Sequence, residues 1–220
     1  MTLQKNDFIE IEFIAKTKEG NLFDSNIPEE LKKINPQAKP KPFLFPLNQG
    51  MFIQGVDDFL VGKDLGKYTI ELQPENAFGK RDLKLIQVAS SNMFKNQKVQ
   101  PYPGAVFNFD NRLGKVLSVS GGRVRIDFNH PLAGKEVIYE VDVKRKIETL
   151  EEKVKALIDF FFRKEWDFKI QDNILNLNVE PKFKQFVELF KDKFKEILDL
   201  DLNVKELVEK PAELKQDEKK

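Results

Sequence analysis

The chain has no cysteine. Disulfides, thiolate metal sites and a cysteine nucleophile are excluded, and a reducing compartment fits. Its single histidine, His130, rules out a His-based metal cluster. That residue lies in a Pro/Gly corner, Asn129-His130-Pro131-Leu132-Ala133-Gly134-Lys135, beside no serine or acid that would make it a catalytic base, and it reads as a satisfied loop histidine. No Gly-x-Gly-x-x-Gly or P-loop is present. Excess charge of one sign is also missing: 37 basic residues face 36 acidic ones, a net charge of +1, with both signs interleaved. Such a chain has no long-range field to draw it onto nucleic acid or an anionic membrane, and Arg123 and Arg125 on one strand face do not change that. No apolar run is long enough to span a bilayer, and the first residues, Met1 to Asp7, carry no apolar signal region. The expected location is the cytoplasm, with no membrane or nucleic-acid partner. Adjacent carboxylates such as Asp57 and Asp58 read as a solvated helix face, because like charges avoid shared burial.

Phenylalanine is what the chain has in quantity: 20 residues against 3 Tyr and 1 Trp. Most belong in cores, with a minority available to line a pocket. Residues 8–15 alternate, with Ile9, Ile11, Phe13 and Ala15 on one face, and predict a half-buried strand. Leu22-Phe23-Asp24 and Pro42-Phe43-Leu44-Phe45 read as short strands around a Pro-rich surface excursion at 25–42. Val56 to Val61 has helical spacing closed by Gly62. Tyr68 to Leu72 and Leu83 to Val88 read as strands, as does Val137 to Val143.

Composition changes over 89–131. Two alternating runs, 115–120 and 123–128, flank Gly121-Gly122, a hairpin signal within a small all-β unit. From about 150 the period becomes helical, with Leu150, Val154, Leu157, Ile158, Phe161 and Phe162 on one face. Phe168 to Ile170 and Leu175 to Val179 read as strands. A second helical stripe runs from Phe183 to Ile197, and Leu198 to Val204 reads as a last strand. Residues 210–220 read as a frayed charged tail.

The corner at 129–135 running into Val137, Tyr139, Val141 and Val143 resembles the closing segment of FKBP-type peptidyl-prolyl isomerases of the SlyD-like branch. Gly20-Asn21-Leu22-Phe23-Asp24-Ser25, Phe52-Ile53-Gln54-Gly55 and Asn76-Ala77-Phe78-Gly79 follow the same family in order. The resemblance implies an α+β fold: an FKBP-like antiparallel sheet wrapped on a short helix (1–88 plus 132–149) with an insert-in-flap unit (89–131). The remainder, 150–220, is expected to be an α/β interaction unit resembling the extra C-terminal region of long archaeal FKBPs, through which a homodimer forms. The implied activity is cis-trans isomerisation of X-Pro bonds in unfolded or partly folded chains, without cofactor or metal. A holdase that keeps the cleft but has lost turnover is the alternative.

This chemistry needs no acid, base or ion. Rotating the planar amide costs ~18–20 kcal/mol, and uncatalysed exchange takes roughly tens to hundreds of seconds. A ~10⁴-fold acceleration requires about 5–6 kcal/mol. The twisted amide has lost resonance and carries less charge on its oxygen, so a dry aromatic cleft disfavours the planar form, and one or two fixed donors add the rest. By resemblance, Phe13 is the aromatic of the first strand, Phe23 and Asp24 the Phe-Asp pair, and Phe43 the aromatic after Pro42. Phe52 and Ile53 belong to the segment offering a backbone N–H, Val56 is the floor, Phe78 the loop aromatic and Tyr139 the closing-strand aromatic. Phe23, Asp24, Ile53, Phe78 and Tyr139 are the expected catalytic group. Val56 stands where many relatives have Trp, and Phe78 where many have a tyrosine hydroxyl. The His/Cys-rich tail of some SlyD-like proteins is absent, so nickel delivery does not carry over. Met93, Phe94, Val99, Tyr102, Val106, Phe107 and Phe109 are candidates for a client-binding groove on the insert.

Overall fold

The computed structural model describes residues 2–96 and 98–207. The first elements are β1 (Phe8–Thr17), β2 (Leu22–Ser25), α1 (Pro28–Ile34), β3 (Phe43–Pro46), α2 (Gln54–Leu60) and β4 (Gly66–Leu72). Next come β5 (Ile86–Ser90), α3 (Ser91–Asn96), β6 (Val106–Phe109), β7 (Arg112–Ser120), β8 (Arg123–Asp127) and β9 (Val137–Lys146). The last are α4 (Leu150–Phe162), β10 (Phe168–Gln171), β11 (Ile174–Val179), α5 (Lys184–Glu188), α6 (Lys191–Leu198) and β12 (Asp201–Glu206). No helix among the described residues is long and apolar enough to cross a membrane.

β1 is the axis of the main sheet. Its residues Ile9, Ile11, Phe13 and Ala15 are buried, as their alternation predicts, and so are Val137, Tyr139, Val141 and Val143 of β9. The strands run β2-β1-β9-β4, all antiparallel, and β3 joins the same edge of β1 as β2. α1 begins with Pro28 at its first turn and buries nothing, so the excursion at 25–42 is a surface feature. α2 buries Val56, Asp57 and Leu60.

A second antiparallel sheet, β5-β8-β7-β6, has its own small core of Phe94, Ala105, Val116, Val124 and Ile126. Two expectations need correction here. The run 83–88 is not one strand: the Asp82 side chain accepts from the Lys84 N–H and caps a 3₁₀ turn over Leu83–Leu85, and pairing starts only at Ile86, against Asp127. Sheet pairing therefore begins three residues ahead of the boundary drawn at 88/89. The unit is also not all β, because α3 lays the ring of Phe94 on the sheet.

In the last third, β10 and β11 form a hairpin through Asp172 and Asn173, both at positive φ, and β12 lies parallel to β11. The stripe 183–197 is broken after α5, and Leu198 ends α6 instead of opening the last strand. Thr149 caps α4, accepting from the Glu152 N–H at 3.4 Å, and Arg163 closes it in the left-handed conformation. Val154, Leu157 and Ile158 of α4 belong to the same apolar cluster as Phe8, Phe45 and Leu47 of the main sheet. Residues 210–220, read as a tail, lie outside the described residues.

Candidate active site

Two strands share one edge of β1, and the gap between them shapes the site. β2 pairs through Ile14 to Lys16 and β3 through Phe8 to Ile11. The side chain of Asn26 fills the gap: its Oδ1 accepts from the Phe13 N–H and its Nδ2 donates to the Ile11 carbonyl, both at 2.8 Å. Buried Ser25 donates from Oγ to the Phe13 carbonyl at 2.7 Å and accepts from the Ile27 N–H at 3.1 Å. This clasp fixes the end of β2, which carries Phe23 and Asp24.

The rings form a continuous row. Phe78 meets Phe23 edge-on at 5.6 Å between centroids, and Phe23 meets Tyr139 at 6.0 Å. Tyr139 meets Phe52 at 5.6 Å, Phe52 meets Phe13 at 5.1 Å, and Phe13 meets Phe43 at 6.0 Å. These edge-to-face contacts are the favoured geometry for ring quadrupoles. Phe23, Phe43, Phe52, Ile53 and Phe78 are partly buried, whereas Phe13 and Tyr139 are buried. Val56, expected as the floor, has no exposed surface and belongs to the same apolar cluster as the rings.

Ile53 caps α2 in extended conformation, and its carbonyl accepts from the N–H groups of Val56 and Asp57 at 3.0 and 3.1 Å. Its own N–H has no acceptor among the described residues. Gly55 is needed next to it: a Cβ there would lie 2.6 Å from the Asn76 carbonyl oxygen and 2.6 Å from Leu72 Cδ2. That close approach seats the 74–79 loop on α2. The loop is closed by the Gly79 N–H donating to the Pro74 carbonyl at 2.6 Å, and it carries Phe78.

Two ionisable groups stand in the row. The Asp24 carboxyl is pushed above the usual carboxylate range by burial, partly offset by the Ser25 N–H that donates to its Oδ1 at 2.8 Å. The residue as a whole keeps an exposed surface. Burial, and secondarily the charge of Asp24, push the Tyr139 hydroxyl up, which keeps it a protonated donor.

Three further features differ from expectation or were missed. Asp57 is not on a solvated face: it is 2 % exposed and its carboxyl is raised to about 7, chiefly by burial, while Asp58 is exposed. His130 is more than a loop residue. Its ring stacks on Phe78 at 4.8 Å and 3°, and its Nδ1 accepts from the Leu132 N–H at 3.2 Å. The corner that carries it stands out in the sequence; its partner 52 positions earlier does not. On the insert, Met93, Val99, Tyr102 and Val106 are exposed, but Phe94 is 3 % exposed and belongs to the core. Phe107 and Phe109 pack against Phe94 at 5.4 and 5.9 Å, so these rings are committed in part to the insert itself.

Chemically, the row offers aromatic surface, backbone N–H groups without an acceptor among the described residues, that of Ile53 included, and one hydroxyl donor. That arrangement suits a neutral amide and contains no nucleophile paired to a base.

A sequence profile described as FKBP-type peptidyl-prolyl cis-trans isomerase matches residues 1–99, and one described as FKBP26, IF domain matches residues 88–132. The short-type peptidyl-prolyl cis-trans isomerase of Methanocaldococcus jannaschii is 30% identical over 147 residues, covering 64% of this chain and 92% of that protein. The FKBP-type 16 kDa peptidyl-prolyl cis-trans isomerase of Escherichia coli is 29% identical over 148 residues, with the same shares of 64% and 92%. The FKBP-type isomerase SlyD of Haemophilus influenzae is 28% identical over 158 residues, covering 69% of this chain and 77% of the relative.

Proposed function

This chain belongs to the FKBP-type peptidyl-prolyl cis-trans isomerase family and is an isomerase of that kind, and we propose that it turns X-Pro bonds on the ring row Phe78-Phe23-Tyr139-Phe52-Phe13. The observation that carries the assignment of the site is the free Ile53 N–H at the edge of partly exposed rings. The proline ring lies against the partly exposed Phe23 and Phe52, which Tyr139 backs from the interior, and the Ile53 N–H donates to a substrate carbonyl and holds the backbone in register. The planar amide, with its polarised oxygen, loses more hydration in this cleft than the twisted amide does, so the barrier falls. Asp24 holds the mouth of the cleft through its bond to the Ser25 N–H, and Tyr139 stays neutral beside it. Phe78 has no hydroxyl; its stacked partner His130 extends the aromatic wall at that end.

The substrates are proline-containing polypeptides. In our reading the insert, residues 89–131, holds unfolded clients beside the cleft through exposed Met93, Tyr102 and Val106, and tethering raises the local concentration of their prolines. Residues 150–207 pair two copies of the chain, a reading supported by exposed Phe186 and Leu189.

The test is protease-coupled or exchange-detected isomerisation of a proline tetrapeptide by the wild type, Phe23→Ala and Tyr139→Ala. The site reading expects acceleration by the wild type and at least a tenfold loss of kcat/KM in each variant that remains folded. Suppressed aggregation without accelerated exchange would make the chain a holdase instead.

A further inference from the structure

Helix α4 is not confined to the C-terminal unit. A concave site of about 720 Å³ lies between it and the ring row. Phe13, Asp24, Phe43 and Phe52 line one side and Ala156 and Phe160 of α4 the other. The loop after α1 closes the rim, tied to the helix by Lys41 Nζ donating to Asp159 Oδ1 at 3.0 Å. Three of these residues, Phe13, Phe43 and Phe52, are members of the ring row, so the site continues the proposed cleft without a break.

We propose that α4 is the far wall of a longer substrate groove, and that it reads the polypeptide flanking the proline, selecting an apolar side chain followed by an acidic one. The inference rests on the ring row being the isomerase cleft. A volume of 720 Å³ is about 9 Å across, the span of two to three extended residues at about 3.3–3.6 Å each. The floor is apolar, built from rings and Ala156. The rim is cationic in what it leaves uncommitted. Asp159 is shared by Lys41 and Arg163, and Glu152 is held by Arg145. Lys155 makes only a 3.5 Å exposed pair with Glu151, and Lys39 has no acidic partner among the described residues. A substrate carboxylate therefore finds two available cations on the α4 side, where both acids are held by basic residues; the one lining acid without a cation among the described residues, Asp24, stands on the side of the ring row.

The test uses the full chain, because α4 shares its core with the main sheet. Lys39 and Lys155 are exposed, so Lys39→Glu/Lys155→Glu leaves the fold intact. Three substrates are compared: a tetrapeptide centred on proline, and ten-residue peptides with Phe-Glu or Phe-Lys beside the proline segment. The wild type should show a lower KM for the Phe-Glu peptide than for the Phe-Lys peptide. The double variant should reverse that order, with a three- to tenfold change, and turn over the tetrapeptide as before. A benzoylphenylalanine in place of the flanking Phe should crosslink to α4 or to residues 38–44. Crosslinks confined to the insert, or a KM order unmoved by charge reversal, overturn the proposal while tetrapeptide turnover stands. A wild type that fails to accelerate the tetrapeptide overturns the cleft itself.

Discussion

Replacing Asp57 by asparagine should stabilise the protein at pH 8 and change it little at pH 4. Asp57 is buried on α2, and its Oδ1 has no hydrogen-bond donor among the described residues; nor does Oδ1 of neighbouring Asn48. Burial raises the carboxyl from 3.8 to about 7, with the charge of Asp58 adding to the rise and the Asn48 N–H opposing it. A folded-state value above the unfolded one means that the proton is held more tightly in the fold. Full stability is therefore present below 3.8, falls as the pH rises through the interval to about 7, and is level above it. At about 1.36 kcal/mol per pH unit the loss is about 2–4 kcal/mol, the lower end allowing for screening by solvent. Asparagine keeps the shape, cannot ionise, and presents an N–H where the protonated acid presents its proton. Urea unfolding followed by circular dichroism at pH 4, 6 and 8 measures the gap between variant and wild type, with equal slopes as the control. The gap should be under about 1 kcal/mol at pH 4 and reach about 2–4 kcal/mol at pH 8. A gap that does not change with pH, or a variant less stable at pH 8, would refute the burial of a carboxylate with one oxygen left without a donor.

Gly55→Ala forces a Cβ against the Asn76 carbonyl oxygen and Leu72, so the loop carrying Phe78 must move. The expected outcome is a loss of about 1–3 kcal/mol in a urea melt together with reduced tetrapeptide kcat/KM. Asn26→Ala strips the Phe13 N–H and the Ile11 carbonyl of their partner, and a melt should show a loss of about 1–3 kcal/mol. Replacing residues 86–127 by a short linker joins Leu85 and Phe128, which already meet through the Phe128 N–H donating to the Leu85 carbonyl at 3.0 Å, and removes the client-holding surface. Tetrapeptide turnover should survive while catalysed refolding of a proline-limited protein slows; equal refolding rates would remove the role given to the insert.

β1 and β9 are legible because burial on one face writes a period of two into Ile9, Ile11, Phe13 and Ala15 and into Val137, Tyr139, Val141 and Val143. The aromatic members of the ring row are legible only through motif order, since spacing alone gives core and cleft the same letters. Asp57 is illegible: two adjacent acids look solvated, and only the packing of α2 decides that one of them is enclosed. Asn26 is hidden for a related reason, because its partners lie on another strand, 13 and 15 positions away. Leu83 fits an alternating run yet is 77 % exposed, because a side-chain cap at Asp82 wins over the strand pattern. α3, six residues with one buried ring, is too short to leave a helical stripe. Nothing in the sequence places α4 beside Phe13 and Phe52, since that contact is purely tertiary.

Among the described residues the buried apolar side chains fall into two separate clusters, the larger spanning the main sheet and α4 through β12, the smaller confined to the insert. Trp166, the sole indole, packs on the larger and donates from Nε1 to Glu180 at 2.7 Å. Its fluorescence is thus a private signal of one cooperative body and is silent about the other, whose core rings are all phenylalanine. Calorimetry beside emission would record the insert loosening as heat without colour, and would date its release relative to the rest of the molecule.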